Sequence, residues 1–441
     1  MKVYKTLIGI MLAGSIALPG CVQAAEKTIK LSLGEAVSMA RENNRTIKAA
    51  QSRVAQAEAK IVQTRQSYLP KVTLSETAVI TNDPGAALVF KLQQNIITQS
   101  DFIPDRLNNA DVINDFNTSL LVMQPVYNPD ASTGRTIAFT AKKAQEQMAA
   151  RTTETVELQV SKLYYGLILA RKNIEAVEQS IITMKNHSNE ADKAYRVGLL
   201  TKSDKLSTDV RLAELLEQKL MLHDAIKNAT DALKVMLNLD ANLTIIPTED
   251  LVVDKRLPVV DEKNTPEGRS DLKALQTYRE IAGYQEKMAQ AAKLPRVNAF
   301  FQTNLHSSDI FSGGSSWALG MTMQWNIYDG MATTGRIQEA KAQQLEAMYN
   351  HEEAKSQSLV EIKKAQRDLK TAKARIAVSQ ESLEEARVSL DYIGTQFKTG
   401  MAMTFELLMR EGAYTYAKLR LNQAKYDYCI ARSELAYYSA R

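Results

Sequence analysis

The sequence predicts a mainly α-helical fold with a small β part, an internal duplication of long antiparallel coiled-coil helices and four β-strands. Three observations carry this reading. Two proline-free runs, 134–197 and 335–399, keep apolar residues on a heptad spacing. Four shorter segments alternate apolar and polar side chains instead. The order of segments in the first half is then written again in the second, so that "SYLPKVTLS", 67–75, returns as "AAKLPRVNAF", 291–300.

The chain opens with "MKVYK" and the apolar "TLIGIMLAGSIAL", too short and wrongly flanked for a membrane span, so 1–24 reads as a signal peptide. Cleavage after Ala24, within "VQAA", competes with a lipoprotein-like reading of "LPGC" that makes Cys21 the lipidated terminus, although Pro19 sits badly in that pattern. Cleavage after Ala24 removes Lys2 and Lys5, leaving 53 of the 55 basic residues against 50 acidic ones, a net +3. It also leaves Cys429 as the one cysteine, so a disulfide within the monomer is not expected.

The first repeat is read over 25–240 and the second over 268–441, with a connector at 241–267 marked by Pro247, Pro258 and Pro266. Each half runs helix, strand, loop, strand, very long helix, Gly turn, helix. "NRTIKAA", 44–50, matches "RSDLKAL", 269–275; "QPVYNPDASTGR", 124–135, matches "QWNIYDGMATTGR", 324–336; and "AYRVGLLTKSDKL", 194–206, matches "TQFKTGMAMTFEL", 395–407. The offset falls from 225 at the Leu-Pro pair to between 200 and 202 further on, because the first half holds about two dozen extra residues within 82–115.

The alternating segments are expected near 70–82, 117–127, 295–307 and 316–328. In the first, Val72, Leu74, Ala78 and Ile80 oppose Thr73, Ser75, Thr77 and Thr81; in the fourth, Trp317, Leu319, Met321, Met323, Trp325 and Ile327 oppose Ser316, Ala318, Gly320, Thr322, Gln324 and Asn326. Length, alternation and aromatic ends fit transmembrane barrel strands, while a soluble antiparallel sheet also alternates. The second segment is apolar on both faces and gives no orientation.

The long runs of about 64 residues would each extend roughly 96 Å as helix. Val156, Val160, Leu163, Leu167, Ala170, Ile174, Val177, Ile181 and Met184 step alternately by four and three. In the twin, Ile362, Leu369, Ile376, Leu383, Leu390 and Phe397 recur every seven, with Ala365, Ala372, Ser379, Ala386 and Ile393 between them. Large residues at one core position and mostly small ones at the other make a close-packed coiled-coil seam. Gly198 and Gly400 suit the left-handed residue after a helix end, and return helices over 203–237 and 404–439 complete a hairpin in each half.

Composition excludes several classes. Charged residues at 24% with 18 Gly and 10 Pro describe neither a disordered nor a loop-dominated chain. The net charge of +5 is spread without a basic cluster, which argues against nucleic acid as a partner. The four histidines (187, 223, 306, 351) are scattered, and there is no Walker-type phosphate loop or nucleophile elbow, so neither metal, cofactor nor enzymatic activity is expected. No segment after the leader reaches 18 consecutive apolar residues, so entry into a membrane would be through strands. Four strands cannot close a barrel in lipid, and copies must combine. Two chains would give eight strands, and three would give 12 with room for water.

The duplicated plan resembles the TolC family of outer-membrane efflux proteins. "LSLGEAVSMARENNR", the two Leu-Pro entries into strands, "QPVYN" with "STGR", and "YRVGLLTKSD" carry the resemblance, which covers about 31–439. It implies a homotrimer with a 12-stranded transmembrane β-barrel and an α-helical tunnel, placed in outer-membrane lipid. The partners it implies are a periplasmic adaptor (membrane fusion) protein and an inner-membrane RND or ABC-type transporter. The function implied is the exit duct of a tripartite efflux system. A type I protein-secretion duct and a soluble periplasmic coiled-coil structural protein are the rival readings.

The resemblance also maps a periplasmic aperture. In the protein that names the family, a tyrosine and an arginine flanking the second turn glycine bond to a threonine–aspartate pair after the first. Here the pair maps to Ser203 and Asp204, but the partners map to Phe397 and Ala402, which cannot make those bonds. Two pore-constricting aspartates map to Glu406 and Met409. Three copies of Glu406 would form an acidic ring favouring cations, and apolar packing of Phe397 and Met409 is expected to contribute more to closure. Alternatively, Asp204 simply caps the returning helix. Adaptor contact is expected at Arg196, Val197, Gly198, Leu199 and Gly400.

Overall fold

The computed structural model describes residues 27–253 and 266–439. The leader, Cys21 and residues 254–265 of the connector lie outside them. A parallel pair, β1 (Lys27–Leu31) with β4 (Leu243–Pro247), ties the start of the described chain to the end of the first half. Sequence periodicity had not indicated it, since five residues offer too little pattern. Helices α1 (Leu33–Asn43) and α2 (Arg45–Gln63) follow, the first opened by a Ser32–Glu35 capping box and the second by Asn44, whose Oδ1 accepts from Thr46 N and Ile47 N.

The strands are β2 (Lys71–Thr81), β3 (Ile113–Tyr127), β5 (Arg296–Ser307) and β6 (Gly314–Gln324), in the order β2-β3-β5-β6 and antiparallel throughout. The second strand begins earlier than its alternation suggested, and β6 ends at Gln324 rather than near 328. Just past that end the Trp325 indole N–H donates to Lys293 O at 3.0 Å. Between β2 and β3 the extra residues form two helices, α3 (Pro84–Gln93) and α4 (Pro104–Asn108).

Register resolves the orientation of β3. Val72, Val122, Phe301 and Leu319 form one cross-strand row, and Leu74, Leu120, Thr303 and Trp317 the next, on the apolar face. Ser75, Ser119, Asn304 and Ser316 lie on the other face, and Leu121 and Met123 also project there. Glu76 interrupts the apolar face, and its carboxylate accepts from Thr118 Oγ1 of the neighbouring strand. Leu74, Ile80, Trp317, Leu319 and Met321 are 62–75% exposed in the single chain, a surface that water would not tolerate over this extent. The outer edges of β2 and β6 have no ladder partner among the described residues.

At one end of the sheet every strand joins a helix. α5 (Pro129–Arg196, 68 residues) starts at a proline in the first turn behind an Asn128 cap, and α8 (Ala332–Lys398) has 67 residues. Their partners are α6 (Lys202–Leu237) and α9 (Thr404–Tyr438), while α7 (Ser270–Ala291) leads into β5. The main core lies partway along the hairpins. Val160, Tyr164 and Leu167 of α5 meet Leu369, Ala372 and Ile376 of α8, Ala424 and Tyr428 of α9, and Leu233 and Leu237 of α6. Alanines at the small heptad positions let the helices close on these aromatic and branched side chains. Tyr164 donates its buried hydroxyl to Leu31 O at 3.0 Å, joining this core to β1. Among the described residues, no helix is long and apolar enough to cross a membrane.

The duplicated Leu-Pro-basic motif marks the passage from helix to strand. Arg296 at the start of β5 pairs with Asp130 at the start of α5, and Arg135 donates to the Tyr68 hydroxyl at 2.9 Å. Proline disfavours helix in the residue before it and donates no ladder hydrogen bond; both helices have already ended ahead of it, α2 at Gln63 and α7 at Ala291.

Candidate functional site

Two turns close the far ends of the hairpins, and both have the same construction. Gly198 after α5 has φ 79° and Gly400 after α8 has φ 73°. In the first turn Leu199 N donates to Ala194 O at 2.8 Å and Gly198 N to Tyr195 O at 3.0 Å. In the second, Met401 N donates to Gln396 O at 2.9 Å and Gly400 N to Phe397 O at 3.0 Å. These paired bonds satisfy the last helical carbonyls through a left-handed residue, which a side chain would strain.

The returning helices are capped by carboxylates six residues after each glycine. Asp204 accepts from Thr201 N at 3.1 Å and Thr201 Oγ1 at 2.6 Å, while Thr201 Oγ1 accepts from Asp204 N at 3.1 Å. These bonds from Thr201 hold the Asp204 carboxyl below the usual carboxylate range. Asp204 therefore serves as a helix cap, and Ser203 beside it is exposed. In the twin, Glu406 accepts from Met403 N at 3.2 Å; methionine has no hydroxyl, so Glu406 is held by fewer bonds than Asp204 and is exposed.

Phe397 and Met409 are not brought together. Phe397 is 9% exposed, in a small core with Leu390 and Leu407, against which Ala402 packs. Met409 stands 56% exposed and outside that cluster. The ring of His187 meets Phe397 edge-on at 6.3 Å. Between the two turns runs a groove of about 540 Å³ lined by Glu190, Lys193, Val197, Leu199, Phe397, Lys398, Gly400 and Ala402 among others. It unites residues expected separately at the aperture and at the docking tips. Arg196 turns away, paired with Asp192 at 2.9 Å. Val197, Leu199, Met401, Met403 and Phe405 are 68–78% exposed, an apolar crown on both tips.

Further along the hairpins, a polar network joins α6 to α9. Arg211 Nε donates to Glu411 Oε2 at 2.9 Å, Thr415 Oγ1 donates to Glu411 Oε1 at 2.7 Å, and Ser180 of α5 meets Thr415 at 2.7 Å. The Glu411 side chain is 1% exposed, and Arg211 is the cation paired with it in that buried position. Sequence reasoning missed this pair. The one available signal was a glutamate in the buried stripe of α9 between Leu407 and Thr415.

A family model described as outer membrane efflux protein matches residues 36–239 and 264–440. The chain belongs to that family. It is 21% identical over 354 residues to the alkaline protease secretion protein AprF of Pseudomonas aeruginosa, covering 78% of this chain and 72% of AprF. It is 20% identical over 306 residues to the outer membrane protein TolC of Vibrio cholerae, covering 67% of this chain and 69% of TolC. Among solved structures, the Campylobacter jejuni CmeC outer membrane channel superposes with a TM-score of 0.80 at 18% identity, covering 92% of this chain and 85% of CmeC. The outer membrane efflux fold thus extends through both halves, and the chain is an outer-membrane protein with its helical tunnel in the periplasm. The family and the fold are those of channels.

Proposed function

We propose that three copies of this outer membrane efflux protein close a 12-stranded barrel and a helical tunnel, forming the exit duct of a tripartite efflux system. The observation that carries this is the continuity of two features. A four-stranded sheet with open edges and an exposed apolar face runs directly into hairpins whose longer helices have 68 and 67 residues. Open edges require neighbours in lipid, and helices of this length extend about 100 Å. Substrate enters at the tips and leaves at the outer face, with energy supplied by an inner-membrane RND or ABC-type transporter. The groove between Gly198 and Gly400, with its exposed apolar crown, is read as the seat of an adaptor's α-hairpin.

The aperture is read as the level of the tips, with Glu406 of three copies forming an acidic ring. Closure is assigned to the Phe397 core and the Arg211–Glu411–Thr415 network. The bonds known from the family's namesake are unavailable, because Phe397 has no hydroxyl and Ala402 no charge. A second reading, a type I protein-secretion duct, is favoured by the likeness to a protein named for alkaline protease secretion. Deleting the gene separates the two. The efflux reading expects hypersensitivity to toxic small molecules with an unchanged set of exported proteins; loss of a protein from the medium with normal sensitivity overturns it in favour of secretion.

A further inference from the structure

Helix α3 and the turns after it are used by neither the tips nor the barrel wall. From their placement we infer that three copies of α3 meet on the barrel axis and close the extracellular mouth. The inference rests on the proposed trimer.

The polar face of the sheet is the luminal one, since its opposite is the exposed apolar face. α3 is fastened to that luminal face at the end away from the helices. Gln94 Nε2 donates to Asp115 Oδ1 at 2.8 Å and to Asn114 O at 2.9 Å, and Asp115 Oδ2 meets His306 Nδ1 at 2.8 Å. Asp115 and His306 are 1% and 6% exposed, although both stand at strand ends. A side chain at Gly314 would come within 2.1 Å of Gln93 O, so the C-terminal end of α3 lies directly on β6. The helix leaves β2 at Pro84 and reaches β6 at Gln93. Its 10 residues extend about 15 Å, close to the roughly 14 Å across four strands. It therefore crosses the sheet as a strap.

Ala87 and Gln94 face the sheet and are buried, whereas Val89, Leu92 and Ile96 are 46–53% exposed on the other side. That apolar stripe points toward the lumen axis. A barrel of 12 strands tilted about 40° is roughly 24 Å across between backbones, and each helix is about 10 Å thick. Three straps therefore reach the axis, where a second and a third copy are the apolar surfaces at hand to cover Val89 and Leu92. Closure by apolar side chains would be reversible without breaking the Gln94–Asp115–His306 anchorage.

The test uses the full chain in outer membranes, with the mass of the extracted complex measured first. Leu92→Cys should give disulfide-linked dimers on mild oxidation, while the unsubstituted chain and the lipid-facing Trp317→Cys should not. Separately, Leu92→Asp should speed external labelling of a luminal Thr73→Cys by a bulky maleimide several-fold. This second readout does not depend on the periplasmic aperture. A complex of three copies that lacks either result overturns the inference. A mass that is not three copies overturns the trimer itself, and with it the convergence of α3.

Discussion

Replacing Arg211 with alanine should release the tips. The substitution leaves Glu411, 1% exposed, with Thr415 as its remaining neighbour in the network and without its cationic partner at 2.9 Å. Breaking a buried ion pair costs about 3–5 kcal/mol. Arg211 is itself 24% exposed, so water entering the vacated space offsets part of this, leaving about 2–3 kcal/mol. At 1.4 kcal/mol per factor of ten, a separation of α6 from α9 becomes about 30- to 140-fold more populated. Single-channel recording in planar bilayers reads this as longer and more frequent open states. Arg211→Met combined with Glu411→Leu removes both charges and should recover most of the heat stability of the complex, because no unpaired charge remains. An Arg211→Ala channel with unchanged open probability and unchanged heat stability would refute the assignment of closure to this network.

Glu406→Ala should lower cation selectivity in reversal-potential measurements; unchanged selectivity removes Glu406 from the pore. Gly400→Val forces a branched side chain into a φ of 73° and should cost roughly 1–2 kcal/mol locally, seen as faster proteolysis at the tip. Leu319→Arg places a charge on the lipid face at a cost of about 2–4 kcal/mol near the midplane and should deplete the protein from outer membranes. Asp204 has a lowered folded-state pKa, so the stability from its cap is present above the unfolded value and lost as pH falls through the folded one. Acid should therefore loosen the first tip, and hydrogen exchange of the first turn of α6 should show this in the native chain but not in Asp204→Asn.

The coiled coils were legible because heptad spacing is local and long. Of the nine α5 positions expected in the seam, Leu163 alone is outside the buried set. The β2 and β6 faces were legible for the same reason at period two. β3 was not, because Leu121 and Met123 point to the luminal face while Leu120 and Val122 point to lipid, and pairing with β2 and β5 was needed to sort them. α3 was hidden by its composition, since ten largely apolar residues between Pro84 and Gln93 carry no period that separates helix from strand. At the tips, matching residue by residue assigned apolar packing to both Phe397 and Met409 but could not say where each side chain goes; helical geometry sends Phe397 into the hairpin core and leaves Met409 at the surface of the single chain. Arg211 and Glu411 lie 200 positions apart, and only the folding of one half against the other makes them neighbours.

The mass of the complex extracted from outer membranes, with detergent and lipid subtracted, tests the central claim most directly. Three protomers, and hence 12 strands, is the predicted result. Two protomers, or a single chain recovered from the soluble periplasm, would contradict it.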